Sequence, residues 1–302
     1  MSERYDPLLR RTAELAIGYL DGLPERPVGQ PVDHHALVAA LSKPLAKKGE
    51  DPMTVIEQLV ADADPGIVAC AGPRYFGFVH GGSVPASVAA DWLVTTWDIA
   101  CSMYVCSPAV AVIEEIAAGW LGDLFGLTGR GREISTGFTT GCNMANFTGL
   151  AAARHALLAR VGWDVETQGL FGAPEINVAV GAEAHGSIFA GLQMLGLGRD
   201  RVIRIAADDQ GRMRADALAA TLDGLSGPVI VIAQAGNVNS GAFDPFMPIA
   251  DACKAHDAWL HVDGAFGLWA AVSPAYRHLT AGVERADSWA ADGHKWLNVP
   301  YD

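Results

Sequence analysis

From residue 175 to residue 291 the sequence alternates short apolar runs with longer segments of helical spacing. That alternation restricts the fold more than any other feature. Glu175 to Val180, Arg201 to Ile205, Pro228 to Ala233, Trp259 to Val262 and Asp287 to Ala291 read as strands. Asn143 to Val161, Ser187 to Leu195, Arg214 to Leu222 and Asp244 to His256 carry helical spacing between and before them. Several strands are apolar throughout, as strands covered on both faces must be. Such repetition predicts an α/β fold with a mainly parallel sheet flanked by helices. Glu133 to Thr136 is expected to add a strand, and Ala111 to Phe125 a helix with Pro108 near its start.

The first part of the chain has a different texture. Residues 1 to about 70 read as helical and amphipathic, punctuated at Gly22-Leu23-Pro24 and from Pro27 to Pro31, with Pro52 to Ala63 as a further short helix. From Gly72 to Ser83 the chain turns rich in glycine and aromatics, the composition of a shaped loop. The expected organisation is a helical N-terminal segment over 1–70 and one large domain over 71–302.

Composition narrows the function classes. Half of the 302 residues are hydrophobic, enough for a sizeable core. The longest apolar stretches, such as Ile116–Trp120 and Pro228–Ala235, stop well short of the roughly 20 residues a membrane span needs. The opening residues Met1 to Asp6 lack the basic and apolar regions of a secretory signal. With 21 basic against 34 acidic residues, the net charge of −13 disfavours nucleic acid, and Lys47-Lys48 and Arg199-Asp200-Arg201 are too short to offset it. Cys70, Cys101, Cys106, Cys142 and Cys253 form no CxxC pair, which argues against a disulfide framework or a cysteine-rich metal site and suits the cytoplasm.

Open sheets of this kind bind ligands beyond the carboxyl ends of their strands. Four segments lie there. Thr139-Thr140-Gly141-Cys142-Asn143-Met144-Ala145-Asn146 leads into a long helix, where free N–H groups and the helix dipole favour an anion; small polar residues also suit any strand–turn–helix. It matches neither GxGxxG nor GxxxxGK[ST]. His185, in Glu183-Ala184-His185-Gly186-Ser187, reads either as a site residue or as a neighbour of a helix cap. Asp263, closing the apolar run Trp259 to Val262, reads as a functional carboxylate or as a helix N-cap. Lys295, between His294 and Trp296, is set in unusually apolar company for a lysine. Burial lowers a lysine's pKa and makes it a nucleophilic amine suited to Schiff-base chemistry.

A phosphate cradle, an imidazole, a carboxylate and a lysine are together the parts of a pyridoxal phosphate site. In their order along the chain they resemble the group II pyridoxal-phosphate-dependent amino-acid decarboxylases, which include glutamate, aromatic amino-acid and histidine decarboxylases. His294-Lys295-Trp296 is similar to that family's Schiff-base segment, His261 through Ala265 to its His-Val-Asp-(small)-Ala, and His185-Gly186-Ser187 to the segment of its stacking histidine. Pro73 to Phe78 with Gly81-Gly82, Ser107-Pro108-Ala109 with Glu114 and Trp120-Leu121, and Asp244-Pro245 after Gly236 extend the likeness. Two segments depart from it. The family's Thr-Ser-Gly-Gly-Ser-Glu-Ala-Asn stands here as Thr139 to Asn146, with Met144 in place of an acid, and a common Gly-Thr-Thr stands as Gly236-Asn237-Val238.

The resemblance implies the aspartate-aminotransferase-like fold type I and pyridoxal 5′-phosphate as cofactor. It implies decarboxylation of an L-amino acid to its amine and CO₂, with other fold-type-I chemistry (aminotransferase, carbon–carbon lyase) or an inactive binding fragment as alternatives. By the same likeness, Lys295, His185 and Asp263 are the expected catalytic residues. Cys142, Asn143, Asn237, Ala265 and His294 join them in holding the cofactor, with Asn237 reaching its ring oxygen or the lysine. Tyr75 and Phe76 are the expected substrate-pocket residues, and a homodimer is the expected assembly. The chain stops seven residues past Lys295, at Tyr301-Asp302, so a further strand, a mobile catalytic loop and a small C-terminal domain of the family are expected to be missing.

Overall fold

The computed structural model describes residues 2–29, 31–45, 47–129, 131 and 133–300; Tyr301-Asp302 lie outside the described residues. The chain divides into two compact units, Met1–Ser83 and Val84–Asp302. The first is built on three helices: α1 (Ser2–Gly22), α2 (His34–Leu41) and α3 (Pro52–Ala63). Carboxylates start the two shorter ones, Asp33 accepting from the His35 amide and Asp51 from the Thr54 amide. Arg11 bridges α1 to Glu57 of α3 at 2.7 Å. Tyr75 and Phe76 belong to the irregular stretch that follows; Tyr75 stacks on His80 at 5.6 Å and Phe76 is 94% exposed.

The second unit carries the sheet. Two helices, α4 (Pro85–Trp97) and α5 (Pro108–Leu124), lead to the long α6 (Gly141–Arg160) and the single turn α7 (Val165–Gln168). Then strands and helices alternate as β1 (Asn177–Gly181), α8 (Gly186–Met194), β2 (Ile203–Ile205), α9 (Ala215–Asp223), β3 (Val229–Gln234), α10 (Phe246–Ala255), β4 (Trp259–Asp263), β5 (Ser288–Ala290) and α11 (Gly293–Leu297). The order across the sheet is β2-β1-β3-β4-β5, and every pairing is parallel. The α/β expectation therefore holds, with each of the five strands over 175–291 within two residues of its expected place.

Two elements differ from expectation. Glu133 to Thr136 is extended but joins no ladder. Its one large apolar residue, Ile134, packs on the core by its side chain alone, which leaves no apolar pattern to hold a strand in register. Residues 85–97 carry no expected element, yet they form α4, started by Pro85 in the first turn despite the β-type run Val94-Thr95-Thr96-Trp97.

Strand alternation divides the core. Val178, Val180, Ile230 and Ile232 face α6 and α8, joining Leu150, Leu157, Ile188 and Leu192. Ala179, Val231, Ala233, Leu260 and Val262 face the opposite side, against Leu218 and Leu222 of α9 and Phe246 and Ile249 of α10. On β4 the residues between these, His261 and Asp263, fall on the α6 side.

His261 is wholly buried there, its Nε2 2.9 Å from Asn146 Oδ1 and its Nδ1 2.8 Å from Ser288 Oγ. Gly149 makes room for the ring: a Cβ there would lie 2.7 Å from Cε1 and 2.9 Å from Nδ1. Both ring nitrogens are tied, so the imidazole cannot step aside. Gly149→Ala is expected to destabilise the fold by about 1–3 kcal/mol, read as a fall in the urea midpoint.

Two buried titratable groups pull the stability profile in opposite directions. Burial disfavours the imidazolium and holds the His261 pKa at about 3. Asp244, buried and accepting the Met213 and Gln234 amides at 2.7 Å each, is pushed up to about 6 by burial, with those two amides working against the rise. Below pH 6.5 the unfolded chain protonates His261 while the folded chain does not, so stability falls with pH down to about 3. Between about 6 and 3.8 the folded chain keeps a proton on Asp244 that the unfolded chain has lost, so stability rises as pH falls. The two slopes offset one another across that window. Asp244→Asn removes the second and exposes the first: relative to wild type, the variant is expected to lose about 1 kcal/mol for each pH unit between 6 and 4. Urea midpoints from pH 8 to pH 4 measure the difference, and parallel profiles would contradict it.

Candidate active site

The strand order reverses between β1 and β3, which places a crevice beyond their carboxyl ends. A small cavity of about 10 Å³, room for about one water, lies there, lined by Gly181, Glu183, Gly211, Gln234, Asp244 and Asp263 among others. Each sequence-predicted segment of this unit reaches that edge of the sheet, or the start of α6 beside it.

Asp263 ends β4 and is 4% exposed. One carboxylate oxygen accepts the Ala265 amide at 3.2 Å, and its other oxygen accepts no hydrogen bond among the described residues. It caps no helix: a 3₁₀ run, Gly267–Val272, follows with no side-chain cap. Gly264, between Asp263 and Ala265, must be small, since a Cβ would meet Leu268 Cβ at 2.6 Å and the Ala290 carbonyl at 2.8 Å.

Lys295 is half-buried in the short α11, whose N-cap Asp292 accepts the Lys295 amide at 2.9 Å. Its Nζ makes no hydrogen bond or ion pair among the described residues. His294 donates from Nδ1 to the Val299 carbonyl at 2.6 Å, and the Trp296 ring meets Phe266 at 5.6 Å.

Cys142 and Asn143 stand in the first turn of α6. The preceding Thr140 provides no side-chain cap, which leaves the opening N–H groups of a 20-residue helix without one. Burial drives the Cys142 thiol far above its ordinary range, and the Asp263 charge adds to the rise while Lys295 works against it. Cys142 thus feels the charges of Asp263, Lys295 and Asp292, with Asp292 acting in the same direction as Asp263.

His185 is the N-cap of α8: its Nδ1 accepts the Ser187 amide at 3.2 Å and lies 2.9 Å from Ser187 Oγ. Its own amide donates to Gln234 Oε1 at 3.2 Å, which ties it to the end of β3. Asn237 turns inward on its own loop. Its Oδ1 accepts the Asn239 and Ser240 amides, and its Nδ2 borders Gly211, so the carboxamide holds the turn that leads to Asp244. Tyr75 and Phe76 lie in the other compact unit.

Three residues carry roles the sequence reading did not assign. Gln234 fixes His185, Asp292 fixes Lys295 and Asn146 fixes His261. Only Asp292 left a local signal, an Asp three residues before the amide it accepts.

These features fit pyridoxal phosphate. An uncapped helix start accepts a phosphate, a buried carboxylate with a spare oxygen accepts a ring N–H, and a lysine amine without a partner among the described residues follows β5 at the same edge of the sheet. Among the described residues no helix is long and apolar enough to cross a membrane, and no three His, Cys, Asp or Glu side chains gather as metal ligands would.

Comparison with known proteins agrees with this chemistry. Residues 35–302 match the model of the pyridoxal-dependent decarboxylase conserved domain. An aromatic-L-amino-acid decarboxylase of Bacillus atrophaeus is 29% identical over 296 residues, covering 97% of this chain and 59% of that protein. The crystal structure of mouse CSAD superposes with a TM-score of 0.88 at 28% identity, over 99% of this chain and 62% of that one. The crystal structure of Oryza sativa TDC with PLP and tryptamine gives 0.90 at 26% identity, over 100% of this chain and 66% of that one. The chain thus spans about three fifths to two thirds of the length of these relatives, and it belongs to the pyridoxal-dependent decarboxylase family.

Proposed function

We propose that this protein catalyses the pyridoxal-phosphate-dependent decarboxylation of an L-amino acid to its amine and CO₂, with Lys295 as the residue that carries the cofactor. The observation that bears most weight is the meeting of an unpartnered lysine amine, a buried carboxylate and an uncapped helix start at one edge of the sheet. When bound, the cofactor supplies an electron sink for the carbanion left by departing CO₂.

The chain's own residues have definite tasks. Lys295, its backbone held by Asp292, offers its amine for covalent attachment. Asp263 keeps a proton on the pyridine nitrogen, since an anion in a poorly solvated place favours the charged form of its partner. His185, tied by Ser187 and by Gln234, stands against the ring face and sets its tilt. The first-turn amides of Cys142 and Asn143 bind the phosphate, with His294 nearby, and Ala265 leaves space beside Asp263. Asn237 serves this site by shaping the loop after β3. Residues 71–302 act as the cofactor-binding domain and residues 1–70 as its helical prelude, in a cytoplasmic protein.

Homodimerisation belongs to the same proposal. Helix α5 buries only Gly122 and leaves Ile113, Ile116, Trp120 and Leu124 exposed in spaced positions along its length. A helix so apolar in sequence normally packs against a partner.

The absorption spectrum of the protein with added pyridoxal phosphate is expected to show a visible band, trapped on Lys295 by borohydride and missing in Lys295→Ala. A folded sample without that band would overturn the assignment. Asp263→Asn is expected to keep the cofactor but to lower CO₂ release by roughly 10- to 1,000-fold, the reach of losing a pKa shift of 1–3 units. Radiolabelled CO₂ release from a panel of amino acids measures it.

A further inference from the structure

We propose that Asn146 is a positioning residue: through a buried chain of hydrogen bonds anchored on β4 and β5, it sets how far the first turn of α6 stands from Asp263. The inference rests on the cofactor reading above and extends it to a residue that touches no ligand.

The chain begins at the Trp259 indole, which donates to Ser288 Oγ at 2.9 Å. Ser288 Oγ lies 2.8 Å from His261 Nδ1, His261 Nε2 lies 2.9 Å from Asn146 Oδ1, and Asn146 Nδ2 points to Cys142 Sγ at 3.9 Å. An indole only donates, so Ser288 accepts there, and because Asn146 Oδ1 can only accept from Nε2, Nδ1 is left to accept from the Ser288 hydroxyl. Nε2 then carries the imidazole proton and gives it to the Asn146 oxygen, which turns the Asn146 amide group toward the thiol. Each link has one consistent polarity. Asn146 and His261 are both 0% exposed, so every partner counts, because an unpaired buried polar group is costly.

Near its first turn the other contacts of α6 with the sheet are apolar; its far end adds long arginine arms, Arg154 to the Leu195 carbonyl at 3.2 Å and Arg160 to Asp257 at 3.1 and 3.2 Å. Leu150, Ala153 and Leu157 fill the core with Val178, Val180, Ile230 and Ile232. Such contacts hold the helix down but fix its position along its own axis weakly, since burial is non-directional. The Asn146–His261 bond supplies the missing direction. Cys142 lies one helical turn before Asn146, and Asp263 lies two residues after His261 on the same strand face. A helix turn advances about 5.4 Å and two strand residues about 6.6 Å. A bond at the lower level therefore fixes the spacing one level up. There the first-turn amides, which take the phosphate, face the carboxylate, which takes the ring nitrogen. Asn146 sets the span between two ends of one molecule.

This makes a selective demand. Pyridoxal, which lacks the phosphate, uses Lys295 and Asp263 but not the first turn of α6. The full 302-residue chain, as wild type, Asn146→Leu and Ser288→Ala, is titrated with pyridoxal phosphate and with pyridoxal, and thermal unfolding is recorded alongside. Asn146→Leu keeps the branched shape and the number of heavy atoms and removes the direction. It is expected to weaken pyridoxal phosphate by roughly tenfold or more, the loss of about one well-placed hydrogen bond to a charged group, while pyridoxal changes less than about twofold. Ser288→Ala, which removes the donor to Nδ1 and the acceptor of the Trp259 indole but leaves Asn146 in place, is expected to shift the same ratio by a smaller factor, and it decides the matter if Asn146→Leu fails to fold. An unchanged ratio of the two affinities, whether both stay tight or both weaken together, overturns the positioning role while leaving the cofactor reading intact. Wild type that binds neither ligand overturns the cofactor reading, and the inference falls with it.

Discussion

The placement of β4 between β3 and β5 is the constraint on which the rest of the second unit depends. Its five residues pair in register with Ile230 to Gln234 on one side, and His261 to Asp263 pair with Ser288 to Ala290 on the other. Because strand side chains alternate, that register sends Leu260 and Val262 into the core against α9 and α10. It sends His261 and Asp263 toward α6. A slip of one residue would put a carboxylate and an imidazole into the apolar core and two aliphatic side chains into the crevice, so core and site enforce the same register.

That shared register explains how a carboxylate is kept nearly dry at the edge of the sheet. Asp263 receives one local amide, and both its charge and that of Lys295 act on Cys142. Asp292 adds a second negative charge nearby while spending an oxygen on the Lys295 amide. The lysine backbone is thereby tied down and its amine left untied, which suits a group that must form and exchange bonds. Cys142, beside them, is held as a neutral thiol by burial and by Asp263, so it does not compete with the lysine as a nucleophile.

What the sequence revealed follows the same physics. Pro228 to Ala233 and Trp259 to Val262 were legible because strands buried on both faces cannot avoid reading as apolar runs. The positions of His185, Asp263 and Lys295 were legible because a parallel sheet binds at its carboxyl edge. Glu133 to Thr136 misled because four extended residues look alike whether or not a neighbouring strand is available to pair with them. The partnerships of Gln234 with His185 and of Asn146 with His261 span 49 and 115 residues of chain. No local pattern encodes such a pair; only the fold brings it about, by packing α6 on β4 for Asn146 and by setting the start of α8 beside the end of β3 for Gln234. His185 shows a further difficulty, since it caps α8 and also stands at the crevice, so the bland reading and the functional one both describe it.

The start of α6 ties fold and ligand together most closely. Asp33, Asp51 and Asp164 cap α2, α3 and α7, whereas α4, α5, α9 and α10 start without a side-chain cap. The 20-residue α6, next to the crevice, likewise begins without one. A side-chain cap is worth about 1 kcal/mol, and α6 forgoes it at the point where its N–H groups converge. A cap there would fill the anion site with the protein's own oxygen, and an incoming phosphate would first have to displace it. Leaving the amides free moves that stabilisation from the empty protein to the loaded one, which a ligand that binds only the folded state then returns through mass action. The buried chain from Trp259 to Asn146 makes this tolerable, because it holds the uncapped helix in place from one turn below.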